Sequence, residues 1–231
     1  FLKKDYENLL TVDVACHGVS NSKLTESYLR GCEKLYGKKI SGYSFRNKGR
    51  RLGTDRSSFA EFRFADGSKK KIDHDILYWG FIKGLFIRES CGSCRFSGKE
   101  RVADFTIADF WGIERLSEEF SAGRGCSLVC ANTKRAAKLL PQISALGKTK
   151  EFEIAQACEY VGPLKGAREP AGAPRAEFLK LAREEGMLPA LKKFVKMPSL
   201  FERALSFAIR RVPMPAPAKN ALKKFSARLQ K

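Results

Sequence analysis

Short β-branched runs alternate with helix-length amphipathic segments along most of this chain, and that alternation limits the folds open to it more than any other feature. Leu9 to Ala15 (LLTVDVA) has the residues of a buried strand and is closed by Gly18 and Ser20, so Cys16 and His17 fall just past a strand end. Ser22 to Tyr36 spaces Leu24, Tyr28, Leu29 and Leu35 as an amphipathic helix does, with Ser22 as candidate N-cap and Gly37 as the stop. From Lys39 to Lys71 the pattern turns to near-alternation, with a hairpin signal at Asp66-Gly67. Asp75 to Phe86 reads as a helix despite Gly80 and Gly84, ADFTIADFWG and GCSLVCANT as short strands, and Lys134 to Leu146 as a helix interrupted at Pro141. The expectation is an α/β fold, with α+β as the alternative, built on a mixed sheet with flanking helices.

With 231 residues, 43% of them hydrophobic, the chain can bury one sizeable core. Gly162 to Pro174 (GPLKGAREPAGAP) marks the expected end of the main domain, giving residues 1–175 as the domain and 176–231 as a basic helical C-terminal tail. In that tail, Ala176 to Glu185 and Leu188 to Lys196 are amphipathic helix candidates, and VPMPAPA is a proline-rich hinge. The formal charge is +19, of which the tail carries +9 and residues 1–175 carry +10. Such a charge suits an anionic partner: nucleic acid, a phosphate-bearing cofactor or a membrane surface. No apolar run reaches the roughly 18 to 20 residues that span a bilayer, so membrane contact would be peripheral and made through the tail. The opening FLKKDYENLLTVDVACHG starts with Phe1, has no signal-peptide layout and reads as the interior of a longer protein.

Seven cysteines, an odd number, fit a reducing cytoplasm, where closely spaced thiols bind metal or do redox chemistry more often than they form structural disulfides. Ser90-Cys91-Gly92-Ser93-Cys94 is the sharpest local feature. Two intervening residues let both thiolates face one metal while the backbone amides between them donate to sulfur. The spacing alone admits half of a zinc site, part of an iron-sulfur site, a thioredoxin-like dithiol or two unconnected thiols. Cys16, beside His17 at a strand end, is the third ligand candidate. Cys126 and Cys130 in an apolar run, and Cys32 and Cys158 in helical surroundings, read as buried structural thiols.

Asp109, Trp111 and Gly112 follow the cysteine pair in ADFTIADFWGI, where a carboxylate and an indole at a strand end could bond a ribityl or ribose hydroxyl and cover a planar ring. The plainer reading is a turn whose Trp fills the core. Arg46, Lys48, Arg50, Arg51, Arg56 and Arg63 interleave with Tyr43, Phe45, Phe59, Phe62 and Phe64, a pattern that suits nucleic acid, dinucleotide phosphates or a strand with a solvated charged face. Of the two histidines, His17 is a proton-donor or supporting candidate and His74 a surface residue. Neither a phosphate-binding P-loop nor a GxGxxG element is present, and no nucleophile is paired with a base, which leaves hydrolase and kinase readings without support.

NLLTVDVACHGVSNSKLTESYL, YSFRNKG, RESCGSCRF, ADFTIADFWGI and GCSLVCANT occur in an order that resembles the coenzyme F420 hydrogenase/dehydrogenase beta subunit family over roughly residues 1–175. The resemblance implies an iron-sulfur flavoprotein that passes electrons between a cluster, FAD and a soluble acceptor, which is the deazaflavin coenzyme F420 in archaeal members. It assigns Cys16, Cys91 and Cys94 to an iron-sulfur (4Fe-4S) cluster, and it implies a further cysteine in a Pro-Cys-Gln motif just before the point where this chain begins. A ferredoxin-like module or other redox subunit is the implied partner. Two departures stand out: Ala108 where the family has Gly before Asp-Phe-Trp-Gly, and Cys126 in its GVSLV segment.

The function expected is therefore electron transfer in a cytoplasmic flavin-dependent oxidoreductase. Arg46 and Lys48 are the expected phosphate contacts, and Asp109, Trp111 and Gly112 the expected flavin or acceptor contacts. The rivals are a zinc-stabilised basic nucleic-acid-binding module, which explains +19 directly, and a non-catalytic assembly subunit of the same fold.

Overall fold

The computed structural model describes residues 6–47, 59–73, 75–117, 119–120, 126–168 and 172–197, with backbone alone at Arg46, Glu114 and Ala173. Strands and helices alternate: β1 (Val12–Val14), α1 (Ser22–Tyr36), β2 (Ile40–Asn47), β3 (Phe59–Phe64), β4 (Lys69–Asp73), α2 (Ile76–Ile82), β5 (Phe105–Asp109), β6 (Ser127–Ala131), α3 (Lys134–Ser144), α4 (Ile154–Tyr160), α5 (Gly162–Lys165), α6 (Gly172–Glu184) and α7 (Met187–Phe194). This is the mixed α/β content expected. The strands divide into two three-stranded sheets: an antiparallel one in the order β2-β3-β4, and a mixed one in the order β1-β5-β6, where β1 runs parallel to β5 and β6 antiparallel to it.

The larger core lies between the antiparallel sheet and α1, α2, α6 and α7. β3 buries Phe59, Ala60, Phe62 and Phe64, and Phe62 shares one core with Phe178 of α6 and Met187 and Leu191 of α7. The cap of α1 is Asn21, one residue before the expected Ser22, and its side chain accepts from the Lys23 amide at 3.0 Å. α2 is shorter than expected because Asp75 caps it by accepting from the Leu77 amide, and the chain turns out at Gly84. The same Asp75 carboxylate accepts from the Tyr28 hydroxyl at 2.6 Å and from the Tyr43 hydroxyl. Burial, then the Asp75 charge, pushes both phenols far above their ordinary range, so they are fixed as donors.

The residue-175 boundary expected from sequence falls inside α6, and the two helices around and beyond it deliver Phe178, Met187, Ala190 and Leu191 to the larger core. The reason is steric. A Cβ on Gly80 of α2 would stand 2.5 Å from Leu191 Cδ2, and one on Gly31 of α1 would stand 2.9 Å from Leu188 Cβ, so both helices have notches that α7 fills. The basic residues of α7, Lys192 and Lys193, are exposed on its other side. The expected VPMPAPA hinge and the rest of the tail lie outside the described residues.

Candidate functional site

The carboxyl ends of β1 and β5 lie side by side. Val14 pairs with Ile107, and the Ala15 amide continues the ladder to the Ile107 carbonyl at 2.9 Å. One residue later β1 gives way to Cys16-His17-Gly18-Val19, while β5 runs into Asp109-Phe110-Trp111-Gly112. Crevices at the carboxyl ends of parallel strands are where α/β sheets hold ligands, because the loops leaving them diverge.

The cysteine pair comes to the same place from another direction. After α2 the chain passes Ile87, whose side chain fills the space beside Gly18, and Ser20 and Ile87 form an isolated bridge. The Arg88 amide bonds the Val19 carbonyl at 2.8 Å, and the Val19 amide donates to Cys91 Sγ at 3.4 Å. The turn Glu89–Cys91 uses its own amides internally, Cys91 to the Arg88 carbonyl and Gly92 to the Glu89 carbonyl. The amide that reaches Cys91 sulfur is thus supplied by the Cys16 loop and not by the residues between the cysteines. Cys94 follows at the end of the turn, and Cys91 and Cys94 are half-buried while Cys16 is exposed.

His17 is built into the floor. Its ring lies 4.9 Å from the Phe81 ring, Nε2 is 3.4 Å from the Phe81 carbonyl, and Nδ1 is 3.4 Å from the Arg168 guanidinium. Burial first, then the Arg168 charge, lowers its pKa and favours the neutral ring. Arg168 was hidden from sequence reasoning because it sits in the Gly/Pro/Ala-rich stretch that marks the expected domain end; its signal was one of two cations, with Lys165, in an otherwise loop-forming segment.

The Asp-Phe-Trp-Gly turn divides its side chains. Phe110 is buried against Phe152 in a smaller core with Ile113, Ala157, Val161 and Leu164, while Trp111 is half exposed. Gly112 has a φ of 79°, and a Cβ there would stand 2.5 Å from Tyr160 Cδ1. The glycine is therefore required both by conformation and by the Tyr160 ring packed on it, over which Arg115 lies at 5.6 Å. Ala108 is partly buried against the smaller core, on the opposite face of β5 from exposed Ile107.

Two carboxylate networks, one on buried Asp104 and one on half-buried Asp13, hold the sheet beneath these loops. Asp104 accepts from the Thr11 amide and hydroxyl, the Thr133 hydroxyl and Arg135, which also bonds the carbonyls of Tyr6, Glu7 and Leu9. Asp13 of β1 faces Arg101, 3.6 Å away and only 3% exposed, which donates on to the carbonyls of Phe96 and Pro163 and so ties β1 to the turn after Cys94 and to α5.

Cys16, Cys91, Cys94, Asp109, Trp111 and Gly112 thus belong to loops at one end of one sheet. Arg46 lies on β2 of the other sheet with its side chain undescribed, and Lys48, Arg50, Arg51, Arg56 and His74 are outside the described residues. Most aromatic residues of the basic stretch are committed elsewhere: Phe59, Phe62 and Phe64 are buried, with Lys71 over Phe59 and Lys38 over Phe64. They are not a platform on which bases could stack. Cys32 is buried in the larger core, where desolvation above all pushes its thiol up to about 11, and Cys126 and Cys158 sit at the edge of the smaller core.

Among the described residues, no three His, Cys, Asp or Glu side chains are grouped closely enough to hold one metal ion. The donor chemistry at the two loops nevertheless fits an iron-sulfur group. Its thiols are exposed or half-buried, one sulfur already accepts a backbone amide, and Arg168 and Arg175, which bond His17 and the Ile82 and Ile87 carbonyls, each keep a buried Nε without a partner, which suits a net-negative neighbour. No described helix is long and apolar enough to cross a membrane.

One protein family, described as the C terminus of the coenzyme F420 hydrogenase/dehydrogenase beta subunit, matches the chain over residues 2–157. No curated protein and no solved structure matches it.

Proposed function

The chain belongs to the family of coenzyme F420 hydrogenase/dehydrogenase beta subunits, of which it carries the C-terminal region, and from that premise we propose that it is the electron-transfer domain of an iron-sulfur flavoprotein. The observation that carries the reading is the Val19 amide bonded to Cys91 sulfur, because it joins the Cys91–Cys94 turn to the Cys16 loop, which leaves β1 next to the strand that runs into Asp-Phe-Trp-Gly. Cys16, Cys91 and Cys94 would hold the iron-sulfur group, a 4Fe-4S cluster completed by a further ligand. Asp109 and Trp111 would orient FAD or the acceptor, with Arg46 and Lys48 as phosphate contacts and the deazaflavin F420 as the acceptor class.

When bound, such a cluster exchanges single electrons and a flavin couples them to two-electron chemistry. The protein's part is to bind, orient and exclude water. The Val19 amide stabilises sulfur charge at Cys91, the neutral His17 ring and Phe81 close the floor, and Gly112 lets the turn lie against Tyr160 so that Trp111 stays at the rim. A ferredoxin-like module or another redox subunit would deliver or collect electrons, and a reducing cytoplasm suits the free thiols.

The test is anaerobic purification of the protein in its native subunit, with iron, sulfide and flavin analysis. Brown protein with flavin absorption, and loss of the iron on Cys91→Ser but not on Cys32→Ser, is the expected result. Zinc in place of iron, or neither metal nor flavin, would overturn the reading.

A further inference from the structure

Arg168 and Arg175 lie beyond residue 157, where the family match ends, yet both reach back to the loops that carry the cysteines. Arg168 places one guanidinium nitrogen 3.4 Å from His17 Nδ1 and donates with another to the Ile82 carbonyl. Arg175 donates to the Ile87 carbonyl at 3.0 Å. Ile87 is fully buried, touches the Gly18 position and is bridged to Ser20, and the next amide bonds the Val19 carbonyl. Each arginine thus grips the chain on one side of the junction between the two loops: Arg168 through the residue after Cys16, Arg175 through the residue that docks the Cys91 turn onto the Cys16 loop.

A guanidinium only donates, so His17 Nδ1 is the acceptor and its proton sits on Nε2, facing the Phe81 carbonyl. One planar fork therefore fixes the ring, its tautomer and the α2 exit together. Neither arginine has a carboxylate partner among the described residues, and each keeps a buried Nε unbonded. Both side chains are partly exposed, but a buried donor without a partner is costly, and an anionic group bound at the cysteine loops would compensate it. Positive charge beside such a group stabilises its reduced form.

We propose that Arg168 and Arg175 are positioning residues for the cysteine site: they hold the Cys16 and Cys91 loops together, and the Arg168 charge makes the potential of an iron-sulfur group bound there less negative. The inference rests on the redox reading above.

The test uses the full chain, first without iron and then reconstituted anaerobically with ferrous iron and sulfide. In the iron-free chain, hydrogen exchange at Val19 and Arg88 should be about tenfold faster in Arg168→Met and in Arg175→Met, the loss of one hydrogen bond's worth of local stability. In the reconstituted chain, Arg168→Met should have a more negative midpoint potential. Arg168→Lys should keep the native potential but exchange as fast as Arg168→Met, because one ammonium cannot serve both His17 and Ile82. Unchanged exchange in both Met variants overturns the clamp, and a potential that stays or rises in Arg168→Met overturns the charge effect. If the unaltered chain takes up no iron and the native subunit, which supplies the further ligand, takes up none either, the redox reading fails and the exchange result alone decides the clamp. Should Arg168→Met fail to fold, Arg168→Lys and Arg175→Met test the clamp, and Arg168→Gln, which also removes the charge, tests the potential with the same expected and overturning results.

Discussion

The two sheets of this protein are stabilised by different means. The β2-β3-β4 sheet is held by apolar burial: Phe62, Phe178, Met187 and Leu191 have essentially no exposure and come from β3, α6 and α7. Among the described residues, part of one face of the β1-β5-β6 sheet is left uncovered. Val12, Val14, Ile107 and Val129 share that face through the strand register, and they remain 55%, 57%, 40% and 37% exposed. What fixes the second sheet is polar, the Asp104 and Asp13 networks together with a small core under α4 and α5. The candidate site is on the second sheet. A half whose parts are tied by a few directional bonds can open locally without unfolding the other half, which is where ligand-binding loops are usually found.

The largest expected effect separates the two modes of stabilisation directly. Phe62→Ala should lower the unfolding free energy by about 3–5 kcal/mol, read from urea denaturation, because it empties the centre of the larger core. The same kind of truncation on the open face, Val14→Ala, should cost no more than about 0.5 kcal/mol. Equal losses at both positions would break the comparison. Arg101→Met comes next. It leaves the Asp13 carboxylate, one of whose oxygens already lacks a partner, facing an apolar side chain, and should cost about 3 kcal/mol. Hydrogen exchange should show that loss in the β1–β5 pairing and not in β3. If β3 loosens equally, the two halves unfold as one.

Much of the fold was legible because local rules and burial agree. α1 has its apolar stripe and Gly37 stop, and the Asp66-Gly67 hairpin sits where turn chemistry puts it, with β3 and β4 on either side. α6 and α7 were legible as helices but not as core, since nothing local in RAEFLKLAREEGMLPA announces that Gly31 and Gly80 leave room for α7. The site divides in the same way. That Cys16, Cys91 and Asp109 lie at strand ends or turns is a short-range property that periodicity reveals. Which backbone amide meets Cys91 sulfur is not, because Val19 is 72 residues away in sequence. Arg168 is the extreme case: its contact with His17 spans 151 residues, and its neighbours spell only a loop.

A fourth substitution sharpens the link between packing and site. Gly112→Ala forces a side chain into a left-handed backbone conformation and into the Tyr160 ring, and should cost about 1–3 kcal/mol. Since Trp111 precedes it, indole fluorescence should shift in the folded variant. If Trp111 emission and stability are both unchanged, Tyr160 does not press on the turn and Gly112 has no structural role there.

The smallest expected effect is a pH dependence, and the amides that respond identify which half carries it. Asp104 is held well below the ordinary carboxylate range, first by the Arg135 bond and then by the Thr11 amide and the Thr133 hydroxyl. A carboxyl whose pKa is lower folded than unfolded adds stability above its unfolded value of about 3.9 and loses it as pH falls through the folded value. Asp104→Asn removes that contribution, so its stability deficit against the unaltered protein should be full at pH 7 and shrink steadily below about pH 4. Glu33 and Asp66, also lowered by hydrogen bonds, are common to both proteins and cancel in the difference. The same titration followed by exchange should show the Thr11 and Asn132 amides, which bracket Asp104, losing protection in acid before those of β3. A deficit independent of pH would mean that the Asp104 network acts through shape and not charge, and the contrast between an apolar half and an electrostatic half would have to be withdrawn.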